Sequence, residues 1–136
     1  MKKNFDIKKN FDLAVQNHKQ NKFHDAIKIY NEILKVDTNH LDTLCNLGSI
    51  FLIFDELQKA ISYYEKVIAI NPNYINAINN LGTIFEKLGE YQKAISYYEK
   101  AIAIDPNYSE AINNLGTSFE KLGEYQKAIS YYEKAI

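Results

Sequence analysis

The 136-residue chain has one cysteine, two prolines and no arginine. A lone Cys45 excludes an internal disulfide framework and a thiolate zinc site, and it fits a reducing compartment, so a cytoplasmic location is expected. Sixteen lysines against seventeen acids leave a net charge of -1, so the dense cationic footprint of a nucleic-acid or anionic-lipid binder is absent. No apolar run approaches the roughly 18 residues of a membrane helix. The opening Met1-Lys2-Lys3-Asn4-Phe5-Asp6 is basic but has no apolar core behind it, unlike a secretory signal. His18, His24 and His40 have no partner four residues away that would put two imidazoles on one helical face, so no metal site is expected. Neither a phosphate loop nor a nucleophile elbow is present. The expectation is a chain without catalytic residues, cofactor or metal.

What is present is 46% apolar and 24% charged residues, which argues against wholesale disorder. Asn occurs fifteen times and Ile eighteen times beside the all-lysine basic set, a bias expected of an AT-rich genome. Asn frequency by itself therefore carries no argument.

The dominant signal is internal repetition. Ile75–Ile102 and Ser109–Ile136 are identical at 25 of 28 positions and differ only at Ile75/Ser109, Asn76/Glu110 and Ile84/Ser118. Leu41–Tyr74 matches Ile75–Tyr108 at 21 of 34 positions. Ile7–His40 matches Leu41–Tyr74 at five (Leu13, Ala26, Ile27, Tyr30 and Asn39), with its apolar spacing kept. The chain thus divides into an N-terminal extension, 1–6, and an array, 7–136, of units 7–40, 41–74, 75–108 and 109–136, the last lacking six residues.

Each unit reads as two helices. Ile78, Leu81, Gly82, Phe85 and Leu88 form one stripe at helical period; Tyr91, Ala94, Ile95, Tyr98, Ala101 and Ile102 form a second. Gly89 sits between them where a helix ends in a left-handed residue, and Pro106 with Asn107 closes the unit. Two helices cannot hide both stripes alone, so successive pairs must stack, which predicts an all-α solenoid of antiparallel helix pairs. Gly48, Gly82 and Gly116 recur inside the first helix of a pair, with Ala14 in the first unit, and Ala26, Ala60, Ala94 and Ala128 recur on the partner helix. Gly in a helix costs about 1 kcal/mol relative to Ala. Its recurrence predicts close approach of the two helices, with Phe85 and Tyr98 filling the wider ends.

Asn80-Leu81-Gly82, Gly89-Glu90-Tyr91, Ala94-Ile95-Ser96-Tyr97-Tyr98, Glu99-Lys100-Ala101-Ile102 and Asp105-Pro106-Asn107 resemble the tetratricopeptide repeat (TPR), whose period is the one seen here. The resemblance spans 7–136. The first unit departs, with Thr38 for the closing Pro and Asn21 for the turn Gly; the second has Asp55 for that Gly. The resemblance implies a right-handed superhelix whose first helices line a concave groove that binds a protein or peptide partner.

Carried over from the family, the groove positions are Lys8, Phe11, Asp12 and Val15; Asp42, Cys45, Asn46 and Ser49; Asn76, Asn79, Asn80 and Thr83; and Glu110, Asn113, Asn114 and Thr117. The next turn adds Leu52 and Ile53, Glu86 and Lys87, and Glu120 and Lys121. The clamp with which some TPR domains grip acidic chaperone tails fits only at Asn46, so that partner is not expected. Asn46, Asn80 and Asn114, with Asp12 in the first unit, resemble the asparagine ladder of the TPR arm of O-GlcNAc transferase. An Asn amide matches a peptide unit's N–H and C=O. Helices about 10 Å apart, against a strand rise of about 3.3 Å, set one Asn per three peptide residues. The alternative is that these Asn are structural or inherited by duplication. Asn79, Asn113, Ser49, Thr83 and Thr117 complete the candidate peptide-binding set. Leu52 and Ile53 offer either a pocket for an apolar peptide side chain or packing against the first unit.

Two readings of the end stay open. Either this is the front of a longer protein or a truncated reading frame, or it is a complete short array whose bare last helix (Tyr132, Ala135, Ile136) pairs with a second copy. The leading function is a non-catalytic interaction scaffold binding an extended peptide. The alternative is the substrate-recruiting arm of a larger enzyme such as a glycosyltransferase.

Overall fold

The computed structural model describes residues 5–135; Met1–Asn4 of the expected extension and Ile136 of the last helix lie outside the described residues. Eight helices occur among them: α1 (Ile7–Lys19), α2 (Phe23–Val36), α3 (Leu41–Ile53), α4 (Leu57–Ile70), α5 (Ile75–Lys87), α6 (Tyr91–Ile104), α7 (Ser109–Lys121) and α8 (Tyr125–Ala135). The fold is an all-α solenoid of helix pairs. No described helix is long and apolar enough to cross a membrane. The chain divides between Ile70 and Asn71 into two compact units, taken in turn below.

The first unit holds the pairs α1/α2 and α3/α4, with α2 packed on α3. Its core is Ala14, Ala26, Tyr30, Ile33, Leu47 and Ile50, around which Phe11, Phe23 and Phe51 close. Asp6 starts α1 by accepting the Lys9 N–H at 3.0 Å. His40 does the same for α3 with its imidazole, accepting from Thr43 N at 3.3 Å and pairing with Thr43 Oγ1 at 2.8 Å. The second unit holds α5/α6 and α7/α8, with α6 packed on α7 and α5 touching α7. Its buried side chains include Leu81, Ile84, Tyr98 and Leu115.

All four pairs turn alike. Glu90 N donates to Phe85 O at 2.9 Å and Gly89 N to Glu86 O at 3.0 Å, the paired bonds of a Schellman stop. The bonds Lys22 to Asn17, Glu56 to Phe51 and Glu124 to Phe119 repeat it. The motif demands a left-handed residue, and Asn21 (φ 61°) and Asp55 (φ 60°) adopt that conformation beside Gly89 (76°) and Gly123 (78°). Short polar side chains tolerate this region, so loss of the glycine does not cost the turn. The other turns agree as well. Asp37 and Asp105 accept the N–H two residues on, at 3.1 and 3.0 Å, so Thr38 serves in its turn as well as Pro106 does in the other.

The recurrent glycines sit under tyrosine rings. A Cβ at Gly82 would lie 2.5 Å from Tyr98 Cε1, and one at Gly48 2.8 Å from Tyr64 Cε1. Tyr64 and Tyr98 are fully buried, while the tyrosines before them stack on phenylalanine: Phe51 on Tyr63 and Phe85 on Tyr97, each with centroids 5.6 Å apart and planes within 4°. Lys59 and Lys93 lie over the phenylalanine rings at 5.2 and 4.4 Å.

Candidate peptide-binding faces

In the first unit the site residues come from α1 and α3. Asn46 is half-buried, and its Nδ2 donates to the Tyr30 hydroxyl at 3.2 Å. That hydroxyl also lies 3.2 Å from His18 Nδ1. Burial raises the Tyr30 pKa and lowers that of His18, so both stay neutral and the hydroxyl can donate to the imidazole while accepting from the amide. Asn46 is thereby oriented from behind by a core tyrosine. Asp12 is exposed and Ser49 half-buried. Cys45 does not present itself as the groove assignment implies: it is only 7% exposed, and burial, with a smaller contribution from Asp42, pushes its thiol pKa to about 11.

Leu52 is half-buried and Ile53 is 57% exposed. The neighbour that packs on the first pair is Phe54, edge-on to Phe23 at 5.5 Å.

In the second unit the residues come from α5 and α7. Asn79 is fully buried, and its Oδ1 accepts from Asn114 Nδ2 at 3.5 Å. Asn113 holds the same register position on α7 and is exposed, because no described helix covers α7 as α7 covers α5. Asn80 and Asn114 are half-buried. Thr83 and Thr117 turn their hydroxyls back onto Asn79 O and Asn113 O, at 3.2 and 3.1 Å. Their oxygens meet the Tyr98 and Tyr132 hydroxyls at 3.5 and 3.0 Å. Those tyrosines also donate to Glu86 at 3.5 Å and Glu120 at 2.9 Å, and Ser118 donates to Glu86 at 2.9 Å.

The tyrosine hydroxyls are thus part of both faces, which the sequence reading missed by treating them as core. Their placement in step with the small residues Ala14, Gly82 and Gly116 was the available signal. Among the described residues no group of three His, Cys, Asp or Glu could hold a metal.

Sequence models of the tetratricopeptide repeat match residues 41–74, 75–108 and 97–130. The chain belongs to the tetratricopeptide repeat family. Among solved structures it resembles two crystal structures of MamA. One is 31% identical with a TM-score of 0.87, the alignment covering 96% of this chain and 76% of that one. The other is 31% identical with a TM-score of 0.85, covering 96% and 71%. A MamA RS-1 ArsTM double mutant, 20% identical over 96% of this chain and 73% of its own, shares the fold with a TM-score of 0.84. No curated protein matches the sequence. TPR membership makes the chain a protein-interaction scaffold.

Proposed function

We propose that this TPR scaffold is non-catalytic and binds extended peptide segments, each unit offering amides from its first helices: Asn46 beside Asp12 in one, Asn80 and Asn114 in the other. The observation that carries the reading is how Asn46 and Asn114 are held. Each is half-buried, and each has one N–H held internally, on Tyr30 and on Asn79. A fixed amide gives up little freedom on binding, and its carbonyl oxygen and second N–H match the N–H and C=O of a peptide backbone. Such bonds are indifferent to ligand side chains, so binding is sequence-tolerant. Ser49, Thr83, Thr117 and Asn113 border these amides in sequence, and Leu52 with Ile53 adds apolar surface beyond Asn46.

The test is selection from an immobilised random dodecapeptide library, followed by titration of selected peptides. Net hydrogen bonds are worth about 0.5–1.5 kcal/mol each, so the double variant Asn80→Ala/Asn114→Ala should weaken binding about tenfold. Undiminished binding by that variant would remove Asn80 and Asn114 from the site; a library that yields no binder would remove the peptide function itself.

A further inference from the structure

In the first unit one tyrosine hydroxyl joins the two first helices of the pairs. The Tyr30 ring of α2 is fully buried, and its oxygen lies 3.2 Å from His18 Nδ1 on α1 and 3.2 Å from Asn46 Nδ2 on α3. His18 and Asn46 are both half-buried, so each also meets solvent. The groups of α2 that face the imidazole are the Tyr30 hydroxyl and the Phe23 ring, edge-on at 5.8 Å. The Asn46 amide of α3 reaches it through that hydroxyl. His24 packs instead on Phe54, His40 on Phe11 and Thr43, and the Asp42 carboxylate acts on Cys45. Burial, with no contribution from a neighbouring charge, lowers the His18 pKa. The Tyr30 hydroxyl has a single proton to give. While His18 is neutral that proton goes to Nδ1, and the oxygen accepts from Asn46. A proton taken up by His18 lands on Nδ1, the ring's acceptor, and makes it a donor. The hydroxyl proton then needs another acceptor, and a half-turn of the Asn46 amide supplies Oδ1. Without that turn, two donors would converge on one oxygen and a buried O–H would go unpaired, which is the costlier arrangement.

We propose that this relay is a proton-operated switch: protonation of His18 reverses both hydrogen bonds of the Tyr30 hydroxyl and turns the Asn46 amide over. Before reversal the amide keeps one N–H on Tyr30 and offers its carbonyl oxygen and second N–H to a ligand. After reversal the carbonyl is held by Tyr30, and both N–H groups are offered instead. The number of internal bonds is unchanged; only the polarity presented by the face differs. A peptide unit needs an acceptor for its N–H as well as a donor for its C=O, and the reversed amide supplies donors alone. This consequence rests on the peptide-binding reading, whereas the reversal itself does not. Since protonation opposes peptide binding, a bound peptide opposes protonation, and it moves the His18 titration to lower pH. Asn114 in the second unit is held by Asn79, a group that does not titrate, and lacks the device.

Nuclear magnetic resonance of the isotope-labelled chain, followed from about pH 7.5 down to about pH 4.5, tests the reversal with no ligand present. The Asn46 side-chain amide signals should shift with the same midpoint as the His18 ring protons, below 6.5. Their Overhauser contact with the Tyr30 ring should weaken across that midpoint. The Asn114 amide should not follow His18. In Tyr30→Phe, His18 should still titrate while the Asn46 amide stays still; in His18→Gln the Asn46 amide should stay still as well. An Asn46 amide that does not respond to His18 overturns the proposal. So does one that tracks His24 or His40, keeps its Tyr30 contact throughout, or still shifts in either variant. Titration of a peptide whose binding requires Asn46 then reads the consequence. Between about pH 7.5 and about pH 5 its affinity should fall about fivefold more for the parent than for His18→Gln, the worth of one hydrogen bond. An equal fall in both overturns the control of binding. Failure to find any such peptide counts against the peptide-binding reading alone, and the spectra still decide the relay.

Discussion

Gly82→Ala sets two well-defined effects against each other. Alanine is the better helix former by about 1 kcal/mol. The added Cβ would stand 2.5 Å from Tyr98 Cε1, 2.7 Å from Cδ1 and 3.0 Å from Cζ. Carbon atoms settle at about 3.5–4.0 Å, so the ring must retreat by about 1 Å. It has nowhere to go: Tyr98 is fully buried, and its hydroxyl is tied to Thr83 and Glu86. Overpacking of this kind costs about 1–3 kcal/mol, so the net effect of alanine is a loss of about 1 kcal/mol, and Gly82→Leu should lose more. For a chain of this size the alanine variant should melt about 4 °C lower, followed by far-ultraviolet circular dichroism. Gly116→Ala is the internal control. Its Cβ would meet Tyr132 Cε1 at 2.8 Å, but that ring is half-exposed and its hydroxyl partners Thr117 and Glu120 are not fully buried, so ring and partners can move together toward solvent. Its helix gain should survive, leaving it neutral or stabilised by up to about 1 kcal/mol. A Gly82→Ala protein that melts at or above the parent, or a Gly116→Ala protein that loses more than Gly82→Ala, would refute the reasoning.

Gly89→Ala meets no atom within 4 Å, so its cost is purely the left-handed backbone and should be about 1 kcal/mol by urea titration. Asp55→Gly relieves the same conformation in the second pair and should raise stability by about 0.5 kcal/mol in that assay. The Cys45 thiol, pushed up to about 11, should react with iodoacetamide at about pH 8 at least tenfold more slowly in the folded chain than in urea. The fold holds the thiol proton more tightly than the unfolded chain does. The stability this contributes is full below the ordinary value of 9.0 and fades as pH rises through about 11. His18 has the opposite sense: burial lowers its pKa, so its contribution is full above 6.5 and is lost as pH falls below that value. Melts at about pH 7.5 and about pH 5 should therefore differ more for the parent than for His18→Leu.

The helix pairs and their turns were legible because they are local and repeat in register; the glycines were expected to let the helices approach with Tyr98 filling a wider end, whereas the Tyr98 ring lies against Gly82 itself. Asn21 and Asp55 kept the turn that glycine makes elsewhere, since the Schellman bonds ask only for a residue that tolerates positive φ. Burial was less legible, because it depends on the next helix. Asn79 and Asn113 stand in near-identical segments, yet one is fully buried and the other exposed. Cys45 also lies inside, and no neighbour in sequence announces it. The polar partners of the core tyrosines were also hidden, since a tyrosine in an apolar stripe gives no sign of where its hydroxyl ends.

That hydroxyl decides what each face presents. Tyr30 and Tyr98 are both fully buried rings whose oxygens reach polar residues of the first helices. In the first pair, the residue one turn beyond the face is His18; the imidazole takes one side of the hydroxyl and Asn46 the other, so the fixed group is an amide. In the α5/α6 and α7/α8 pairs, that position holds Glu86 and Glu120, and the tyrosine fixes a carboxylate instead. A buried, neutral donor aimed at a surface group restricts its rotamer without adding charge. Leu52 holds the position in the α3/α4 pair and offers neither imidazole nor carboxylate. The tyrosine hydroxyls thus hold an amide in one unit and carboxylates in the other. The difference follows from residues 18, 52, 86 and 120, while the glycine–tyrosine packing beneath three of the four stays the same.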